Sequence, residues 1–259
     1  MMNSTEISPP DLARSPEPQE RLIVALDVPE ADAARRMVDE LGDVVSFYKV
    51  GYQLFISSGL GFVQELGDRG KRVFVDLKMD DIEETVKLAI ANLARIPAIK
   101  LATLHGSGAT ARAGRAGRGV DNTSLNLLSI TLLSSLGEDD LKDLMLVGQD
   151  EQRYRFQSLD DYVMWRADQG LSNGADGVIA SGATIQLLRH RFADKDFLIV
   201  SPGIRPPGSV TDDHKRTATP QQAIAAGADY LVVGRPIRDA KNRRDAAEQI
   251  IEDIAAGVG

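Results

Sequence analysis

The sequence predicts a single parallel (β/α)8 TIM barrel. Three observations predict it: eight short apolar runs recur at intervals of roughly twenty to thirty residues, helical segments separate them, and 259 residues suit one such barrel. The runs read LIVALD from Leu22, VVSFYK from Val44, RVFVDLK from Arg72, IKLATLH from Ile99, LNLLSIT from Leu125, GVIAS from Gly177, FLIVS from Phe197 and DYLVVG from Asp229. Helical character is expected over Pro29–Leu41, Ile82–Arg95, Leu159–Leu171, Thr219–Ala226 and Asp239–Ala256. The long acidic and polar connection from Gly137 to Ser158 has no assignable structure. An open dinucleotide-binding sheet is the competing architecture, but its first strand should run into a glycine-rich turn. Here that turn reads Leu26-Asp27-Val28-Pro29, without glycine.

One folded domain preceded by a tail is expected along the chain. Residues 1–19 carry Pro9, Pro10, Pro16 and Pro18 among polar and acidic residues, a composition expected to remain a disordered tail, and residues 20–259 form the barrel. Cysteine is absent, which excludes disulfides, thiolate metal sites and cysteine nucleophiles, and permits a cytoplasmic setting. A formal net charge of -8 argues against sequence-independent attraction to nucleic acid or an anionic membrane. No run of eighteen apolar residues occurs, so no membrane span is expected.

Alternation along Val73 to Lys78 places Val73, Val75 and Leu77 on one face of a strand and Phe74, Asp76 and Lys78 on the other. In a barrel the first face packs on helices, so Asp76 and Lys78 point inward at the strand's C-terminal end, where barrel enzymes place their chemistry. Asp27 and Lys49 end the first and second runs in the same way, so four charges converge on one rim. Asp76 with Lys78 also fits a structural ion pair, and Asp27 and Lys49 taken singly fit solvated loop residues. Asp81 followed by Glu84 has the spacing of a helix N-cap with its capping box.

The phosphate-binding signal is at the ends of the last two runs, where many such barrels bind phosphate. SPGIRPPG, Ser201 to Gly208, follows the seventh run, and Gly234-Arg235-Pro236 closes the eighth. Glycine lets backbone amides approach an anion, and arginine adds a charge-assisted contact. The same glycines and prolines also suit plain turns, and Arg205 suits a surface position. His214 lies in a polar stretch, while His105 and His190 show no paired spacing that suggests a metal site. Arg112, Arg115 and Arg118 make a basic stripe on a helix weakened by Gly114, Gly117 and Gly119, read here as a solvated surface.

Asp76-Leu77-Lys78-Met79-Asp80-Asp81-Ile82, preceded by Lys49-Val50-Gly51 and followed by Val232-Val233-Gly234-Arg235-Pro236-Ile237, resembles the orotidine 5'-monophosphate decarboxylase family from about Arg21 to the C-terminal helix. The resemblance implies a cofactor-free, metal-free decarboxylation of a pyrimidine nucleotide in de novo pyrimidine biosynthesis. Lys78 matches the lysine that delivers a proton to pyrimidine C6, and Asp76 the carboxylate beside the substrate's own. Lys49 and Asp27 match residues that hold the charged network and the ribose hydroxyls. Asp81 matches an aspartate contributed across a homodimer interface. Ile82 and Thr85 match contacts to base and ribose, Ser134 a contact to the pyrimidine, and Arg205, Gly234 and Arg235 the phosphate site. Two positions depart from the pattern: Glu83-Glu84 stands where many members have proline and asparagine, and His214 where a glutamine commonly reaches the phosphate.

Three other readings compete. Magnesium-dependent enzymes resembling hexulose-6-phosphate synthase or ketogulonate-6-phosphate decarboxylase share the Asp-x-Lys-x-x-Asp pattern but carry glutamate where Lys49 stands. A Schiff-base aldolase needs a lysine of lowered pKa, which flanking carboxylates oppose. An inactive barrel that only binds a nucleotide or a partner protein is countered by the intact tetrad.

Overall fold

A computed structural model describes residues 16–105, 107–119, 121–122, 124–143, 146, 148, 155–207 and 217–258. Eight strands follow one another in the chain: β1 Leu22–Ala25, β2 Phe47–Gly51, β3 Arg72–Met79, β4 Ile99–Leu104, β5 Asn126–Ile130, β6 Gly177–Ile179, β7 Leu198–Ser201 and β8 Tyr230–Val233. Each pairs in parallel with the next, and β8 pairs with β1, closing the barrel. All eight runs of the sequence are therefore strands.

The helices are α1 Ala31–Leu41, α2 Tyr52–Asp68, α3 Glu83–Leu93, α4 Gly108–Arg118, α5 Glu138–Asp143, α6 Leu159–Leu171, α7 Thr184–Arg191, α8 Pro220–Ala225, α9 Arg235–Arg238 and α10 Arg243–Ala255. Their apolar spacing explains their docking. In α1, Ala34, Met37, Val38 and Leu41 fall at the i, i+3, i+4, i+7 positions of one face, and all four are buried. Side chains on the outer strand faces, such as Val73, Val75 and Val178, join these helix faces in the main core. The inner faces form a second core inside the barrel from Ile23, Ala25, Phe47, Phe74, Leu101, Leu128, Ile130, Ile179, Val200 and Val232.

Several expectations are corrected here. Pro18–Arg21 forms a turn of 3-10 helix, and Gln19 donates to the carbonyls of Asp43 and Val44, so order begins ahead of residue 20; residues 1–15 lie outside the described residues. The connection from Gly137 to Ser158 contains α5, and the backbone of Phe156 bonds Leu146 and Gly148, while Phe156 packs on Tyr162 and Trp165 of α6. Asp81 and Glu84 make no capping box, because α3 starts later than that spacing assumes. Its N-cap is Ile82, which leaves Glu84 one position short, and the Asp81 carboxylate instead accepts the Ile82 amide at 2.6 Å.

The basic stripe belongs to a true helix. Glycine serves close packing in α4: a Cβ at Gly117 would lie 2.1 Å from the Lys87 carbonyl oxygen on α3. Arg118 is buried and pairs with Asp176, and Arg112 donates to Asn173 at 2.6 Å. Arg112 and Arg115 are exposed as expected, whereas Arg118 is turned inward and clamps the starts of β5 and β6 through the Leu125 carbonyl and Asp176.

Candidate active site

The inward alternation of the first three strands carries four charges to the C-terminal mouth. Ile23, Ala25 and Asp27 point inward from β1 and its end, Phe47, Lys49 and Gly51 from β2, and Phe74, Asp76 and Lys78 from β3. There they form one chain of ion pairs. Lys49 Nζ donates to Asp27 Oδ1 at 2.9 Å and lies 3.5 Å from Asp76 Oδ2, while Lys78 Nζ donates to Asp76 Oδ1 at 2.8 Å. Gly51 keeps this arrangement possible, since a Cβ there would meet Lys49 Nζ at 3.0 Å.

Burial raises the cost of any uncompensated charge in this cluster, and the alternation of sign answers it. Burial alone would push Asp76 up, yet the ammonium groups of Lys49 and Lys78 and hydrogen bonds from Lys78 and Thr103 hold its carboxyl below the usual range. Burial opposes the Lys49 charge likewise, and Asp76 and Asp27 outweigh it, raising its pKa. Both groups stay ionised at neutral pH. Lys78 is also the one described non-glycine residue with positive φ, 45°. That backbone conformation costs a non-glycine residue about 1–2 kcal/mol and is found where function holds it in place.

These residues line a cavity of about 470 Å³ whose floor is the apolar inner layer, with Ala25, Phe74, Ile130, Ile179 and Val232. Ser134 borders it from the loop after β5. Pro202, Gly203, Arg205, Gly234 and Arg235 border it from the ends of β7 and β8. Arg205 is buried, not a surface residue. At Gly234 a Cβ would meet nothing closer than 3.7 Å, so this stretch of backbone is open to the cavity. The ends of β7 and β8 thus offer arginines and open backbone suited to an anion, the ends of β1 to β3 pair two ammonium groups with two carboxylates, and apolar side chains of the inner layer line the same cavity.

Not every expected residue joins this cavity. Asp81, Ile82 and Thr85 are exposed, Ile82 at 75%, and none borders it. His214 lies outside the described residues. Two residues that sequence reasoning passed over belong here. Arg238, one turn beyond Arg235, borders the cavity, donates to the Asp27 carbonyl at 3.2 Å and forks onto Asp239. Thr103 of β4 is fully buried and bonds both Asp76 and Lys78. The alternation that marked β3 also marks it, with Leu101 and Thr103 inward and Ala102 and Leu104 outward.

A closed parallel barrel with charges of alternating sign at its C-terminal mouth, and arginines beside open glycine backbone at the ends of β7 and β8, has the layout of a (β/α)8 enzyme. Residues 20–250 match the model of the orotidine 5'-phosphate decarboxylase / HUMPS family, and the chain belongs to that family. It is 44% identical over 240 residues to an orotidine 5'-phosphate decarboxylase of Rhodopseudomonas palustris, covering 93% of this chain and 97% of the relative. A second relative of that name, from Nitrobacter winogradskyi, is 45% identical over 95% of each chain. The crystal structure of orotidine 5'-phosphate decarboxylase from Lactobacillus acidophilus superposes with a TM-score of 0.75 at 32% identity, covering 91% of this chain and 99% of that one.

Proposed function

We propose that this chain converts orotidine 5'-monophosphate to uridine 5'-monophosphate and carbon dioxide without a cofactor, the decarboxylation step of de novo pyrimidine biosynthesis, in a cytoplasmic setting. The observation that carries this reading is the unbroken chain Asp27, Lys49, Asp76, Lys78 in a cavity that Arg205, Gly234 and Arg235 also line. The substrate phosphate binds at the arginine end, the base lies on the apolar floor beside Ser134, and the ribose hydroxyls meet Asp27 and Lys49. Asp76 then faces the substrate carboxylate and Lys78 faces C6. The C6–carboxylate bond breaks, carbon dioxide leaves, and the electron pair left on C6 takes a proton from the Lys78 ammonium. With no cofactor to accept those electrons, charge fixed in advance of the reaction must stabilise them, and Lys78 is already ordered by Asp76. Phosphate binding remote from C6 supplies energy for alignment.

A magnesium-dependent sugar-phosphate enzyme of the same family would need an acidic ligand where Lys49 stands. Here an ammonium fills the space between two carboxylates. The homodimer is part of the same proposal. Exposed Asp81, Ile82 and Thr85 are accounted for if they complete the neighbour's cavity, and exposed Tyr52, Ile56 and Leu88 on the adjoining α2 and α3 supply an apolar face for a second copy.

The test is the ultraviolet absorbance of orotidine 5'-monophosphate mixed with purified protein and excess chelator. Loss of the orotate band is expected, with Lys78→Ala abolishing it while the circular dichroism spectrum stays unchanged. Undiminished turnover by Lys78→Ala overturns the mechanism, and activity confined to a sugar phosphate with magnesium overturns the substrate.

A further inference from the structure

The strand ladder breaks beside the charged cluster. β3 and β4 pair Val75 with Ala102 and then Met79 with Leu104, so Asp76, Leu77 and Lys78 lie opposite Thr103 alone. A bulge of this kind re-aims side chains but strands backbone groups from their ladder partners, and a stranded amide in a buried strand needs another acceptor. Thr103 provides it. Its Oγ1 accepts the Lys78 backbone N–H at 2.9 Å and donates to Asp76 Oδ1 at 3.0 Å. A hydroxyl has one proton, so with that proton given to the carboxylate, only its lone pairs remain for the amide. The same Asp76 oxygen accepts from Lys78 Nζ at 2.8 Å. The bonds close a ring that grips Lys78 at both ends, its amide and its ammonium, around its left-handed backbone.

We propose that Thr103 is a positioning residue for the decarboxylation: by holding the Lys78 amide and the Asp76 carboxylate with one hydroxyl, it sets where the Lys78 ammonium points. The proposal rests on the functional reading above. Thr103 is fully buried beneath the cluster and does not border the cavity, so it acts through Lys78 and Asp76 rather than on substrate. Loss of its hydroxyl therefore reaches the chemical step and spares substrate binding.

Thr103→Val keeps the shape and removes both bonds, while Thr103→Ser keeps the hydroxyl. Steady-state kinetics on orotidine 5'-monophosphate, with thermal midpoints for each protein, test the pair. Thr103→Val is expected to lower kcat by up to about 100-fold, since small displacements of a catalytic group cost that much. KM is expected to stay within roughly 3-fold, the signature of an interaction that matters in the transition state. Thr103→Ser is expected to recover most of the rate. A Thr103→Val protein with wild-type kcat overturns the proposal, as does a Thr103→Ser protein as slow as Thr103→Val. If Thr103→Val does not fold, Thr103→Ala carries the same comparison with the same outcomes. Wild-type protein inactive on this substrate overturns the functional reading and the proposal together, whereas active wild type with an indifferent Thr103→Val overturns the proposal alone.

Discussion

Asp76 is the residue on which the cluster turns, since it accepts from two side chains and faces a second ammonium while largely buried. Its depressed pKa makes it a source of stability with a definite pH window. A carboxyl whose folded pKa is lowered contributes fully above its unfolded pKa, about 3.9, and loses that contribution as pH falls through the folded value. Asp76→Asn leaves Lys49 and Lys78 short of a counter-charge and is expected to cost on the order of 3 kcal/mol near neutrality. Thermal midpoints of both proteins across pH should show that gap narrowing below about pH 4, where wild type protonates too. A gap that stays constant down to the acid transition would show that Asp76 contributes packing and not charge. Lys49 sets no limit at neutral pH, because a raised pKa is lost only as pH rises beyond the ordinary lysine range.

At the scale of elements, strands were the most legible feature. Apolar runs in a parallel barrel are covered on both faces, so they stand out from the polar helices between them. The alternation along β3 assigned Phe74, Asp76 and Lys78 to the interior from residue order alone, and Asp27 and Lys49 followed by the same rule. Thr103 obeyed the rule unnoticed because a threonine at a strand end carries no charge to attract attention. Two of the helices that sequence reasoning left out or weakened carry glycine inside them. Gly59 kinks α2 with φ 64°, and α4 carries glycine where it meets α3 and β4. Helix propensity penalises such glycines, while the positive φ requires one at position 59 and close packing requires Gly114 and Gly117. Gly117→Ala should destabilise the barrel by about 3 kcal/mol through overpacking against the Lys87 carbonyl. Gly61→Ala, on an open face of α2, should instead be neutral or gain up to about 1 kcal/mol. Denaturant titration checks both, and equal effects at the two sites would refute the close-packing account of α4.

For the whole molecule, residues that one barrel leaves idle are the informative ones. Asp81, Ile82 and Thr85 are exposed, as are the apolar side chains Tyr52, Ile56 and Leu88 of α2 and α3, and the proposed site shared between two copies gives both sets a role. Such a shared site requires two-fold symmetry, in which each copy gives the residues it receives. Mixing inactive Lys78→Ala with inactive Asp81→Ala protein should restore up to about a quarter of wild-type activity, because random exchange under that symmetry gives hybrids one intact site each. Subunit exchange demonstrated by differential labelling, with no recovered activity, would show that each barrel works alone. The proposed pairing of barrels rests on the family resemblance, since neither alternation nor composition says which exposed residues would meet a second copy.

The sharing of one Asp76 oxygen by Thr103 and Lys78, with Lys49 on the other, bears on how this site can change over generations. A change at Asp76 alone leaves two ammonium groups short of a counter-charge, and a change at Lys49, Lys78 or Thr103 alone removes one of the partners that Asp76 shares. The effect of a substitution at any one position must then depend on the residues at the other three, so inheritance here favours blocks over single letters. A lineage that acquires different chemistry on this barrel is therefore expected to show paired changes at these positions more often than isolated ones.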